Sequence, residues 1–334
     1  MLLAGDIGGT HTRLALYDLP PNSPAHLLRR PAVREDALSS GTFASLEAAV
    51  QAFLGPRPPR IDAAAFGIAG PVLDGRVKTT NLPWLVDERT LSRRLRIPKV
   101  RIINDLVAIA FGAAAAPKSK LVSLQGSSSS IAKKATVAVL AAGTGLGEAA
   151  LVWDGARFVP CGTEGGHSDF APRSRIEWEL FEFLSRRVKG RVSYERILSG
   201  PGLGNVYDFL RQAKKRKESV AAAAGMAHFA DRNVAITELG LSGKSPVCRE
   251  ALELFLGVYG AEAGNLALNV LATGGVFVAG GIAASLVPLL REGTFLEAFR
   301  DKGRLRPLLE KIPVVVVLDS KIGLFGAIRF AATL

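Results

Sequence analysis

Several short stretches of this chain carry residue types that could do chemistry. The first is Asp6-Ile7-Gly8-Gly9-Thr10, where the apolar opening Leu2 to Ala4 ends in Gly5-Asp6 and the chain resumes as an alternating segment, Thr12 to Tyr17. Paired glycines let backbone N–H groups approach an anion closely, and the Thr10 hydroxyl adds a donor. Asp6, at a strand end, is placed to hold a cation through water where phosphates gather. The same residues also suit a plain hairpin turn. Gly143-Thr144-Gly145-Leu146-Gly147 repeats the Gly–Thr pattern, and Gly280-Gly281 makes a third glycine turn. Asn104-Asp105 stands where an apolar strand meets a helix. There Asp105 is either a helix cap or a general base, and Asn104 offers both a donor and an acceptor. Glu164 and His167, three apart, suggest a metal pair on spacing alone, yet no third or fourth ligand is near in sequence. Glu195 alone reads as readily as a helix-surface charge.

The elements that must position these residues belong to a large globular chain. Its 334 residues suit two domains or one large one, and a 48% hydrophobic share is ordinary for a folded protein. No apolar run approaches the roughly 18–20 residues that span a bilayer. The opening lacks the basic region of a signal peptide. Cys161 and Cys248 are too few for a zinc cage or disulfide framework. The expectation is a soluble, cytoplasmic protein with free thiols. A net charge of +12 raises nucleic acid as a partner, but the densest run, Lys214-Lys215-Arg216-Lys217, has no aromatic stripe or DNA-binding motif beside it. It reads as a solvated helix end, and the basic surface as a means of steering a polyanionic small substrate.

Taken in order, the opening hairpin leads to a third strand at 26–33 and a helix at 42–54 with Thr42 as its cap. A buried strand at 61–68, a short helix at 87–95, a strand at 99–103 and a helix at 106–116 follow. Residues 127–130 with Lys133-Lys134 form a polar loop. The strand, Gly–Thr turn, strand unit then returns at 135–153 and closes a further hairpin into 157–160. This recurrence predicts an internal duplication, with two lobes facing each other across one cleft. The second half is more helical. A helix at 176–188 precedes a helical region from Tyr194 that breaks at Ser199-Gly200-Pro201-Gly202, and 247–271 is long and largely buried. A strand at 274–279, a β run at 313–318 and a helix at 323–330 close the chain.

These blocks, in this order, resemble the bacterial glucokinases within the hexokinase and actin-like ATPase superfamily. The resemblance rests on Gly5-Asp6-Ile7-Gly8-Gly9-Thr10, Ile103-Asn104-Asp105, Gly143 to Gly147, Thr163-Glu164-Gly165-Gly166-His167, Glu195 to Gly202 and Gly274 to Ile282, with Phe299 to Arg304 in support. It implies an α/β, two-lobed actin-like ATPase (ribonuclease H-like) fold with duplicated βββαβαβα lobes. Residues 1–114 plus 318–334 would form the small lobe and 115–317 the large one. It further implies ATP-dependent phosphorylation of D-glucose with Asp105 as base. Asn104, Asp105, Glu164, His167 and Glu195 would bind sugar. Asp6, Gly8, Gly9, Thr10, Gly143, Thr144, Gly145, Gly280 and Gly281 would bind nucleotide, with Asp6 holding Mg²⁺ through water. A homodimer formed through the larger lobe is implied as well, with no nucleic-acid or membrane partner. Another hexose, ADP or polyphosphate as donor, and a non-catalytic sugar sensor on the same fold stand as alternatives. The zinc cysteines of the related ROK kinases and repressors are missing, and nothing before the first strand suits the helix-turn-helix of the repressors. His11 departs from the family's usual Asn, which bears on nucleotide affinity or donor choice. Two further patterns fail: Gly243-Lys244-Ser245 has Glu238 where a Walker loop needs glycine, and Gly200 to Gly204 lacks dinucleotide spacing.

Overall fold

The computed structural model describes residues 1–23, 27, 30–79, 82–126 and 134–334. They divide into two compact units, one of residues 1–117, 149–163 and 319–334, the other of residues 118–148 and 164–318. The excursion at 149–163 has no counterpart in the boundaries drawn from sequence.

The first unit opens with β1 (Leu2–Ile7), β2 (His11–Tyr17), β3 (Arg34–Ser39) and α1 (Leu46–Leu54). It continues through β4 (Ala63–Ile68), β5 (Arg76–Lys78), β6 (Leu85–Asp87), α2 (Glu88–Leu95), β7 (Lys99–Asn104) and α3 (Asp105–Ala113). The main sheet runs β3-β2-β1-β4-β7; β5 and β6 pair separately. Central β1 and β4 are parallel and apolar on both faces, as strands covered by helices on both sides must be. Phe53, Phe66 and Leu91 pack on one face, and Leu2, Ala4, Ala63 and Ala65 on the other. Register fixes the chemistry: Ile7 pairs with Ile68 and Ile68 with Asn104, so the residues after β1, β4 and β7 emerge at one carboxyl edge.

Two local expectations are corrected here. The third strand begins at Arg34, after the 26–33 stretch expected from sequence, of which residues 26, 28 and 29 lie outside the described residues. As a largely exposed edge strand, Arg-Glu-Asp-Ala-Leu-Ser needs no apolar alternation to mark it. Helix α1 is capped by Ser45, whose Oγ accepts from the Ala48 N–H, and not by Thr42.

The remaining elements are β8 (Leu121–Gln125), β9 (Val137–Ala142), β10 (Leu146–Trp153), β11 (Phe158–Thr163), α4 (Arg175–Val188), α5 (Gly200–Gln212), α6 (Val220–Met226), α7 (Arg232–Leu241) and α8 (Pro246–Asn269). Then come β12 (Gly275–Ala279), α9 (Gly281–Ser285), α10 (Val287–Leu290), α11 (Thr294–Arg300), α12 (Arg306–Leu309), β13 (Val314–Val317) and α13 (Ile322–Ala331), the last belonging to the first unit. The second sheet has the order β11-β10-β9-β12-β13-β8. Without β8, an added antiparallel edge, this repeats the first sheet strand for strand. The duplication read from the two Gly–Thr turns is therefore a duplication of topology.

Other departures follow from capping and pairing. Ser199-Gly200-Pro201-Gly202 begins a helix where the sequence suggested a break: Ser199 Oγ accepts from the Gly202 N–H, and Pro201 sits in the first turn, where its missing N–H costs nothing. Lys214-Lys215-Arg216-Lys217 follows the end of α5 with Lys215, Arg216 and Lys217 exposed, as expected of a solvated helix end, and there Lys214 meets Glu179 at 2.7 Å and Arg216 meets Glu250 at 2.9 Å. Residues 127–130 and Lys133 of the expected polar loop lie outside the described residues.

Candidate active site

In the first unit the turn after β1 is closed by the Gly8 N–H donating to the His11 carbonyl at 2.9 Å. Neither Gly8 nor Gly9 is left-handed, so the turn is not one of the primed hairpin types. The requirement at Gly8 is closeness: an added Cβ would meet the His11 carbonyl oxygen at 3.2 Å. A brace lies behind the turn, one that the sequence reading missed. Ser40 Oγ donates to the Gly8 carbonyl at 2.8 Å and lies 2.9 Å from the buried Thr12 hydroxyl. The Ser40 N–H donates to the Thr10 carbonyl at 3.0 Å. No local sequence signal marks Ser40, since the brace depends on the pairing of β3 with β2. His11, exposed, serves the turn through its carbonyl, which any residue supplies.

Asp6 carries a second missed partner, Arg13 across the hairpin, with Nη1 3.5 Å from Oδ2. Burial pushes the Asp6 carboxyl up from its ordinary range, and the Arg13 charge opposes that. Gly323, in the first turn of α13, leaves room for this carboxylate: an added Cβ there would sit 3.4 Å from it.

At the end of β7, Asn104 is the cap of α3: its Oδ1 accepts from the N–H groups of Leu106 at 2.9 Å and Val107 at 3.4 Å, and its Nδ2 donates to the Gly70 carbonyl at 3.3 Å. Asp105 is the first helical residue, one position past the cap, and its Oδ1 also accepts from the Leu106 N–H at 2.9 Å. The cap therefore falls to Asn104 and not to Asp105. Strand β11 lies against this corner through Gly162, where an added Cβ would be 3.4 Å from Asn104 Cβ. Helix α3 is held by an unusually close crossing with α13. A Cβ at Gly326 would fall 1.6 Å from the Ala108 carbonyl oxygen, and one at Gly112 2.2 Å from that of Ile322.

In the second unit the Gly143 turn is gripped from several sides. The Gly143 N–H donates to the Gly145 carbonyl and the Gly200 N–H to the Gly143 carbonyl, both at 2.8 Å. Glu195 Oε2 accepts from the Leu146 N–H at 3.1 Å and lies so near Gly145 that a Cβ there would be 2.5 Å away. Gly166 presses on the Leu146 carbonyl, where a Cβ would be 2.0 Å from the oxygen. Gly280 is left-handed, at φ 90°, and packs on the Ala142 carbonyl, so glycine is required there on both counts. Glu164-Gly165-Gly166-His167 is a tight turn that sets His167 between two carboxylates: Nε2 is 4.0 Å from Glu164 Oε2 and Nδ1 3.9 Å from Glu195 Oε1. All three are at least partly exposed. Among the described residues no group of three or more His, Cys, Asp or Glu side chains could hold a metal ion.

The two sheets of matching strand order, each with a Gly–Thr turn at its first hairpin, define the actin-like ATPase fold. A family model described as Glucokinase matches residues 3–334. The chain is 40% identical to a Synechocystis glucokinase over 348 residues, covering 99% of this chain and 97% of the relative. It is also 40% identical to a Nostoc glucokinase over 347 residues, covering 100% and 99%. Among solved structures it is similar to the glucokinase of an Antarctic psychrotroph, with 28% identity, a TM-score of 0.81 and coverage of 100% and 99%. This protein belongs to the glucokinase family.

Proposed function

We propose that the protein transfers the γ-phosphoryl group of ATP to the 6-hydroxyl of D-glucose, giving glucose 6-phosphate and ADP. The observation that carries the reading is Glu195, which holds the Gly143 turn with one oxygen and faces His167 with the other, in a chain of the glucokinase family. One carboxylate therefore serves both a phosphate turn and a polar set suited to sugar hydroxyls.

In this reading Asn104, Asp105, Glu164, His167 and Glu195 bind the sugar. Asn104 spends Oδ1 on the helix cap, so its contribution to glucose comes from its amide N–H groups. Asp105 accepts the 6-hydroxyl proton as the oxygen forms its bond to the γ-phosphorus and the bond to the bridging oxygen of ADP breaks. The N–H groups of Gly9 and Thr10, and of Thr144 and Gly145, receive the phosphate oxygens, while those of Gly8 and Gly143 close the turns that present them, and Gly280-Gly281 admits the adenosine to the backbone. The donor set for magnesium is one carboxylate, Asp6, already near Arg13. That suits an ion which keeps its waters and takes other ligands from substrate phosphates. When bound it neutralises phosphate charge. The same reading makes the protein a cytoplasmic homodimer supplying glycolysis, its two compact units being the two lobes.

The test is a coupled assay of Mg²⁺-ATP with glucose, mannose, fructose and N-acetylglucosamine, repeated with ADP and polyphosphate. Turnover with glucose and ATP well above every other pair is expected. Preference for another sugar or donor would replace the substrate and keep the fold. Glucose binding without turnover by any pair would make the protein a sensor.

A further inference from the structure

The His167 ring stands between Glu164 and Glu195 at 4.0 and 3.9 Å, and neither distance is a hydrogen bond. Its place is therefore set by its own backbone. The His167 N–H is spent inside the turn, donating to the Glu164 carbonyl at 3.0 Å. Its carbonyl is taken from outside the turn, by Nη1 of Arg191. The same nitrogen also donates to Asp169 Oδ1 at 3.0 Å.

The backbone around this contact explains why an arginine 24 residues away arrives there. Ser168-Asp169-Phe170 and Val192-Ser193-Tyr194 run side by side as a short antiparallel ladder. The Phe170 N–H donates to the Val192 carbonyl at 2.9 Å, and the Tyr194 N–H to the Ser168 carbonyl at 3.0 Å. Asp169 bridges Ser193 between them. Continuing that register one step places His167 opposite Glu195, the two residues whose side chains meet. One step the other way places Arg191 opposite Ala171. To reach His167 the Arg191 side chain must run the length of the ladder, past Asp169. Phe170, Val192 and Tyr194 are buried, the Phe170 and Tyr194 rings meeting edge-on at 5.6 Å. Arg191 and Asp169 stay open to solvent, with side chains 59% and 72% exposed. A pair so exposed adds little to folding. Its effect falls on the one backbone group it grips.

We propose that Arg191 is a positioning residue for glucose: it straps the ladder lengthwise, fixes the His167 carbonyl and so aims the His167 ring beside Glu195, with Asp169 steering the guanidinium. The inference rests on the reading of His167 as a sugar ligand.

The experiment is calorimetric glucose binding, with kcat, KM and Tm in parallel, on the wild type, Arg191→Met, Arg191→Lys, Asp169→Asn, His167→Gln and the double variant of Arg191→Met with His167→Gln. Arg191→Met keeps the stem and loses every donor, so Kd for glucose should rise roughly threefold to tenfold, with Tm close to the wild type. KM for glucose should follow while kcat at saturating glucose changes much less, since the residue acts on a binding group. Arg191→Lys, a cationic donor on a shorter stem, should recover part of the loss. Asp169→Asn, which loosens the guanidinium without removing it, should move Kd the same way by less. The double variant should bind glucose no more weakly than His167→Gln alone, because the strap has no ring left to aim. A wild-type Kd in Arg191→Met beside a raised Kd in His167→Gln would overturn the strap, as would two losses that simply multiply in the double variant. Wild-type glucose affinity in His167→Gln would instead remove His167 from the sugar site, whatever Arg191→Met does.

Discussion

The two Gly–Thr turns come from one repeated topology, yet they are held by different chemistry. The Gly8 turn is braced by neutral hydroxyls, Ser40 and Thr12, acting on backbone carbonyls. The Gly143 turn is held by a carboxylate, Glu195, and by three glycines packed against backbone carbonyls: Gly166 on Leu146, Gly280 on Ala142 and Gly202 on Ile197, at the start of the helix whose Gly200 N–H reaches Gly143. The difference lies in what each brace also touches. Ser40 Oγ meets the Gly8 carbonyl and the Thr12 hydroxyl of β2, whereas Glu195 also faces His167. Disturbing the second turn should therefore disturb the sugar set, and disturbing the first should not.

The largest break in that contrast should come from Glu195→Gln. The amide keeps the shape but loses a charge-assisted acceptor of about 1.5–3 kcal/mol, so KM for glucose should rise roughly 10- to 100-fold and KM for ATP should rise with it. If KM for ATP alone moved, Glu195 would be a brace like Ser40. Gly326→Ala probes the frame beneath both Asp6 and Asp105. With its Cβ 1.6 Å from the Ala108 carbonyl, α13 and α3 must separate, at a cost of about 1–3 kcal/mol. Tm should fall by several degrees and kcat should fall with it. An unchanged kcat in the destabilised variant would show that this crossing does not position Asp105. Smallest is Ser40→Ala, which removes about 1 kcal/mol of hydrogen bonding from the Gly8 turn. KM for ATP should rise about fivefold with KM for glucose steady, and parallel movement of both constants would erase the asymmetry between the turns.

Much of this was legible before the fold, because glycine turns and strand-end carboxylates are local signals. Asp6, Gly8, Asp105 and Gly143 each sit at a strand end, as their sequence context indicated. What escaped reading depends on pairing. Arg13 is an ordinary alternating residue until register sets it across from Asp6. Ser40 became a brace only because β3 pairs with β2 and returns the chain to Thr10. The edge strand β3 and the added strand β8 carry little apolar periodicity, and exposed or half-buried edges require little. The Ser199 to Gly202 stretch misled for a physical reason: glycine and proline usually end helices, and here a serine cap makes them begin one.

The central claim is that Asp105 takes the proton while its neighbour Asn104 caps the helix. It is tested most directly by Asp105→Asn, with kcat from the coupled glucose and Mg²⁺-ATP assay and folding checked by Tm. The amide cannot accept the proton, so kcat should fall by about 10²- to 10⁴-fold with Tm within a few degrees of the wild type. A variant that still phosphorylates glucose at near wild-type rate would contradict the account.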